Sequence, residues 1–394
     1  MTKIEWTDKS LNHIAGCTKK SEGCLNCYSE KMSVRQAGME KKRIREGRND
    51  IEPHYANVIT AGRFNNHIHV RADWDRLMKP LQWKKPKMIF VNSMADTFHP
   101  DVPDEYIDSL WLMMALCSSI QRYKNDNMDE PVGEPHGHCF QILTKRPERM
   151  QKYLTERCLS EIIQDATDKL FGEGMGEWED WVHWNIENHK VLPNVWLGVS
   201  VENQKTADER IPWLLKTPAS VRFISAEPLL EYINFINLKG KKDSNTLSID
   251  ATIGKVIHND FTFTSEKINK LDQIIVGGES GSNARPMHPD WVRSIRDQCE
   301  KAGIAFFFKQ WGAWCPGKAT GEDCEHFKNS YRFPNGEIVS LPRYGNHECY
   351  QWKTGEFKKW ATGELVSFKT GKKKAGNVLD GKIYEEYPEI WRPK

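Results

Sequence analysis

The segment Asn12–Tyr28 reads NHIAGCTKKSEGCLNCY and carries Cys17, Cys24 and Cys27 in a C-x6-C-x2-C spacing. Thiolates are soft donors that select zinc, Cu(I) or an iron–sulfur cluster. Three thiolates leave one position of a cubane cluster open to a further ligand. A structural zinc site with His13 as fourth ligand, a Cys3His set, accounts for the same residues equally well. The position of the trio favours the cluster. It stands alone at the start of an α/β alternation, without the second CxxC pair that a zinc ribbon brings. The other seven cysteines (Cys117, Cys139, Cys158, Cys299, Cys315, Cys324 and Cys349) are scattered. They read as buried structural thiols. The irregular spacing of the last three speaks against a second metal site.

Further groups with chemical potential stand directly after apolar runs: Asp96, Lys145, Arg146, Ser200, Glu202, Glu227 and Glu279. The runs are Met88–Val91, Cys139–Leu143, Val195–Val199, Val221–Ile224, Gln273–Val276 and Ile304–Phe308, with a first strand expected ahead of the cysteine loop. Short, continuously apolar and β-branched or aromatic, they suit strands buried on both faces of a parallel sheet. Helical patterns separate them at Asp104–Cys117, Pro147–Cys158, Ala207–Leu215 and Asp290–Ala302, the last closed by Gly303 as C-cap. The alternation predicts an α/β fold with its functional groups at the carboxyl ends of the strands. His13, His99 and His288 fall near those ends or the cysteine loop, as hydrogen-bonding or structural imidazoles. In GGESG (Gly277–Gly281) two glycines would let a ligand approach the backbone closely, or make a plain tight turn.

Two stretches break the rhythm, the acidic, Trp-rich 161–190 and the Lys-rich 237–270, and both read as rim insertions on a body spanning 1–314. Residues 315–394 read as a C-terminal accessory region of β character. With 394 residues, 39% hydrophobic and 28% charged, the chain has the composition of a soluble globular protein. Its net charge of +2 gives no global attraction to nucleic acid. The basic runs Lys41–Arg48 and Lys372–Lys374 read as solvated surface unless a partner claims them. The 15 tryptophans suit a core, a lined pocket or a base-stacking face. The N-terminus lacks the apolar stretch of a signal peptide, and no run nears the ~20 apolar residues of a membrane span. A cytoplasmic protein with reduced thiols is expected.

The motif G-C-x6-C-x2-C-Y, with Asn12 before it and Ser29-Glu30 after it, resembles the cluster loop of radical S-adenosylmethionine (SAM) enzymes. It is most similar to the subgroup containing spore photoproduct lyase. It departs from the usual C-x3-C-x2-C by three extra residues, and Asn26 replaces the usual aromatic before the last cysteine, with Tyr28 following instead. More broadly, IEWTD, FVNSMADTFH, ILTKRPERM, LGVSVENQ, RFISAEPLL, GGESG and FFKQWG resemble a family of phage and prophage proteins of radical-SAM-like character. The resemblance implies a partial or complete (β/α) TIM-type barrel. It implies a 4Fe-4S cluster on Cys17, Cys24 and Cys27, with SAM at its open iron. Tyr28 would then contact the adenine, and Ser200 and Glu202 the ribose hydroxyls and amino group. Lys145 or Arg146 would neutralise the carboxylate, and Asp96 and Glu227 would bind ribose or substrate. GGESG does not match the family's Gly-Gly-Glu motif, which follows the second strand. The implied partners are a flavodoxin- or ferredoxin-like electron donor and a nucleic-acid or nucleotide substrate. The expected reaction is radical modification or rearrangement of a pyrimidine base in phage DNA; the alternatives are the same radical chemistry on a small metabolite or a protein side chain, or a zinc-containing protein that binds nucleic acid.

Overall fold

The computed structural model describes residues 4–48, 52–71, 73–118, 137–172, 191–239, 246–258, 265–320, 330–332, 338–340, 349–351, 356–358 and 365–389. Seven strands are all paired in parallel: β1 (Lys9–Leu11), β2 (Met88–Val91), β3 (Cys139–Thr144), β4 (Val195–Ser200), β5 (Val221–Ala226), β6 (Gln273–Gly277) and β7 (Ala305–Gln310). Their spatial order is their order in the chain. A sheet that always grows on the same side has no switch point. It curls here into a half-barrel, a partial TIM-like barrel, with every strand end on one rim.

The pleat sorts the side chains into two cores. Ile89, Val91, Phe140 and Ile142 face outward into the main helix-covered core. Met88, Phe90, Cys139, Trp196, Phe223 and Phe307 face the lumen. The lumen is plugged from below by Trp6, whose ring lies 4.6 Å from Phe90 and 6.0 Å from Phe223. Gly198 is glycine for a packing reason: a Cβ there would lie 2.6 Å from the Phe223 ring.

The helices are α1 (Tyr28–Arg45), α2 (Asp104–Leu116), α3 (Pro147–Glu156), α4 (Leu159–Phe171), α5 (Gln204–Lys216) and α6 (Pro289–Ala302). Asn203 caps α5 through a reciprocal pair with Thr206, and Gly303 ends α6 at φ 64°. Every residue of α2 from Tyr106 to Leu116 is buried, because α4 covers its outer side. Burying each of Ile107, Leu110 and Met114 contributes about 1.5–3 kcal/mol. The expected insertion from Glu161 therefore starts too early. Leu159, Ile162, Ile163 and Ala166 make an apolar stripe at helical spacing, and α4 runs on to Phe171. The Trp-rich remainder, 173–190, lies outside the described residues.

Within 237–270, Leu238–Lys239, Thr246–Asp250, Lys255–His258 and Ser265–Lys267 form a four-stranded antiparallel sheet. Beyond β7, strands from Trp314–Thr320 to Leu365–Lys369 build a six-stranded antiparallel sheet. The chain then returns along β7. Phe308 N donates to Tyr384 O at 2.9 Å, Glu386 N to Phe306 O at 3.2 Å, and Trp311 Nε1 to Val378 O at 2.9 Å. No helix among the described residues is long and apolar enough to cross a membrane.

Candidate functional site

The cysteine loop is turned over the open rim by the residues that follow β1 and β2. Asn92, at φ 53°, accepts the His13 and Ile14 N–H groups on its side-chain oxygen at 3.1 and 3.3 Å. Gly16, at φ 90°, passes so close to His67 that a Cβ would lie 2.1 Å from its carbonyl oxygen. A 3-10 turn at Glu22–Cys24 follows, and Cys27 is the N-cap of α1. All three thiols are half-buried and unpaired by disulfides.

The loop is bound to four strand ends. Ser21 donates to Glu202 after β4 at 2.9 Å, and Asn26 donates to Glu279 after β6 at 3.1 Å. Arg285 holds Glu279 through Nη2 at 2.7 Å and reaches the Glu22 carbonyl at 3.1 Å. Tyr28, next to Cys27 and 45% exposed, donates to the Ser93 carbonyl after β2 at 2.5 Å. After β3, Arg146 donates to the carbonyl and hydroxyl of Thr18 at 3.1 and 2.7 Å, and its Nη1 lies 3.9 Å from Cys17 Sγ.

Two buried carboxylates organise this framework. Asp96 accepts from Thr144 Oγ1 at 2.7 Å, Lys145 N at 3.1 Å, Phe98 N at 3.0 Å and Arg146 Nη1 at 2.7 Å, so it aims Arg146 at the loop. Glu202, 0% exposed, pairs with Lys145 and, at 3.2 Å, with Arg210 of α5. Burial opposes its ionisation, but Lys145 and Arg210 outweigh that and hold its pKa below the ordinary carboxylate value. A Cβ on Gly23 would strike the Glu202 side chain at 2.5 Å, so loop and carboxylate pack directly.

The thiols respond to one another and to the cations. Burial, reinforced by Asp96, pushes Cys17 up to about 12, with Arg146 opposing. Cys24 also suffers burial, yet Lys145 and the Lys20 and Ser21 N–H groups bring it below the usual thiol value. Cys27 is raised by burial and then by the charge of Cys24. Three soft donors thus stand on one loop, with Arg146 3.9 Å from Cys17 and Lys145 lowering Cys24, each cation also paired with a buried carboxylate, Asp96 or Glu202. This donor chemistry fits an iron–sulfur cluster held by three protein sulfurs. Among the described residues no group of three or more His, Cys, Asp or Glu is arranged to hold a metal ion. The fourth-ligand candidate, His13, stacks on Tyr106 at 6.3 Å, and burial, with Arg76 and Arg71 nearby, lowers it to about 4.

Ser200 donates to the Glu227 carbonyl at 3.3 Å, and Glu227 pairs with Lys309 at 2.9 Å. The space above Gly277 and Gly278 is already filled: Cβ atoms there would lie 2.3 Å from Glu227 Oε1 and 2.0 Å from the Trp311 carbonyl oxygen. His99 bonds Thr18 Oγ1 at 2.9 Å behind the loop, whereas His288 caps α6. Sequence reasoning missed Lys309, Arg285 and Arg210. Lys309 had a signal, since it follows the apolar run Ala305–Phe308 as Lys145 follows β3. Arg285 and Arg210 lie on segments with no pattern that points at the rim. Cys324 lies outside the described residues, and Cys315 is buried with its Sγ 3.8 Å from the Ala375 carbonyl oxygen.

No curated protein and no solved structure matches the chain. One family model does match, over residues 1–388, and its description is "protein of unknown function (DUF5131)". Because that match takes in the cysteine loop, all seven rim-forming strands and the returning tail, the chain belongs to the DUF5131 family.

Proposed function

We propose that this protein is a radical SAM enzyme whose cluster is held by Cys17, Cys24 and Cys27. One observation carries the reading: the three thiols share a loop stitched across the strand ends of a parallel half-barrel, with Lys145 and Arg146 beside them. Cys17, Cys24 and Cys27 would hold a 4Fe-4S cluster, which would supply the electron for reductive cleavage of SAM at its sulfonium bond. The chain's own part is to bind, orient and shield. Tyr28, its hydroxyl tied down and the residue part-exposed, offers an aromatic side chain to the adenine. Asp96 and Glu202 are spent on fixing Arg146 and Lys145, and so act as positioning residues. Glu227 and Lys309, paired with each other and partly exposed, are the rim groups left to meet ribose or substrate, whereas Ser200 is buried against the Glu227 carbonyl.

The substrate class proposed is a pyrimidine base in DNA, with a flavodoxin- or ferredoxin-like electron donor and a cytoplasmic setting. Similarity of the loop to a thymine-repairing subgroup supports it. Anaerobic protein reconstituted with iron and sulfide, given dithionite and SAM, is expected to release 5′-deoxyadenosine. Cys17→Ala, Cys24→Ala and Cys27→Ala should each abolish the release, and undiminished release from any of them would overturn the reading.

A further inference from the structure

α1 starts at the cysteine loop and then leaves the body of the protein. Its buried residues are Ser29, Ser33 and Ala37, packed on the Val58–Phe64 hairpin. From Lys41 to Arg48 every residue is exposed. No core is gained there, Gly38 costs a helix interior about 1 kcal/mol, and isolated helical turns are marginal in water. The stability of the fold gives no reason for this extension.

Its charge does. Between Tyr28 and Arg45 there are six lysines and arginines against two glutamates, in a chain whose net charge is only +2. Both glutamates turn inward: Glu30 accepts from Phe64 N at 3.2 Å and Glu40 from Ala56 N at 2.8 Å. At ~100° per residue, Lys31, Arg35, Lys42 and Arg45 fall within about 40° of one line, opposite the buried face. That line is about 21 Å long at ~1.5 Å per residue. Its near end is at the site, since a Cβ on Gly281 would lie 3.2 Å from Lys31 Nζ. Among the described residues, Glu46 stands 3.7 Å from a Lys42 that is 71% exposed, a pair readily exchanged for another anion.

We infer that the outer face of α1 is a docking rail for the phosphate backbone of a nucleic acid, delivering one nucleotide of a polymer to the strand ends. A free nucleotide or nucleoside would need no such line of cations. The inference rests on the proposed function for the reason a polynucleotide comes to this rim. Its binding step can be measured without SAM chemistry.

The test is fluorescence anisotropy of the whole protein with labelled duplex DNA, single-stranded DNA and RNA of one sequence, from ~50 to ~200 mM salt. Four phosphate contacts give a log–log salt slope of about −3.6 on a duplex or about −2.8 on a single strand. The triple variant Arg35→Gln, Lys42→Gln, Arg45→Gln should lose about 2.7 of the duplex slope. Its affinity at ~100 mM salt should fall on the order of tenfold or more. These exposed changes should leave circular dichroism and Tm unaltered. Cys27→Ala should keep wild-type binding while losing SAM cleavage. If wild type binds none of the three polymers, if the triple variant binds them with the wild-type slope, or if anionic vesicles bind and no oligonucleotide does, the rail is refuted. Binding without SAM cleavage would leave the rail standing and remove the proposed enzyme.

Discussion

At the scale of single residues, the site rests on charges that cannot be removed one at a time. Glu202 is buried between Lys145, Arg210 and Ser21, so Glu202→Ala leaves cations uncompensated and releases the cysteine loop. Breaking a buried pair in this way costs about 3–5 kcal/mol. Urea denaturation of the variant should show a loss of that size, and a loss below ~1 kcal/mol would mean that solvent screens the pair. Buried histidines set a second dependence. Burial lowers His13 to about 4 and His54 to about 2, against an ordinary 6.5. The unfolded chain therefore takes up protons below pH 6.5 that the folded chain refuses, and stability falls as the pH drops. Each histidine contributes about 1.4 kcal/mol per pH unit while only its unfolded form titrates, so His13 accounts for about 3 kcal/mol by pH 4. His13→Phe, which keeps the stack on Tyr106, should lower the slope of unfolding free energy between pH 6 and 5 by about 1 kcal/mol per pH unit, the share of one histidine among the four whose values are lowered. An unchanged slope would contradict the account.

At the scale of elements, what positions the site was legible where a run is apolar on both faces. All six strands expected after the cysteine loop are present, and the polar residues read at their ends do meet at one rim. Partnership was not legible. Nothing local tells Asp96 that Thr144, Lys145 and Arg146 will be its donors, because that pairing is made by the β2–β3 register. The glycines of GGESG were equally opaque. Close approach of backbone was readable from the residue type, but what approaches was not, and it is the Trp311 carbonyl and the Glu227 carboxylate. Gly278→Ala should thus act on folding, because its Cβ meets backbone that cannot swing away. We expect a loss of about 1–3 kcal/mol or more by denaturant titration. Wild-type stability in that variant would show that the turn can relax.

At the scale of the whole molecule, the half-barrel leaves β7 as an edge strand, and the chain deals with that edge itself. The Val378–Glu389 segment pairs along β7, places Tyr387 against Phe307 and ties Asp380 to Arg293 and Arg296 at 2.7 and 2.9 Å. Sequence reading set this tail aside as an accessory, since loop-rich, Gly- and Lys-rich sequence carries no periodicity to announce a return to the first sheet. Truncation after Gly371 should expose β7 and yield aggregated protein by size-exclusion chromatography. A monodisperse, fully folded truncation would show the latch to be dispensable. What the three thiols hold is decided most directly by metal analysis of protein isolated without oxygen. The account expects about four irons with matching sulfide per chain, lost when Cys17, Cys24 or Cys27 becomes alanine. One zinc per chain and no iron would contradict it.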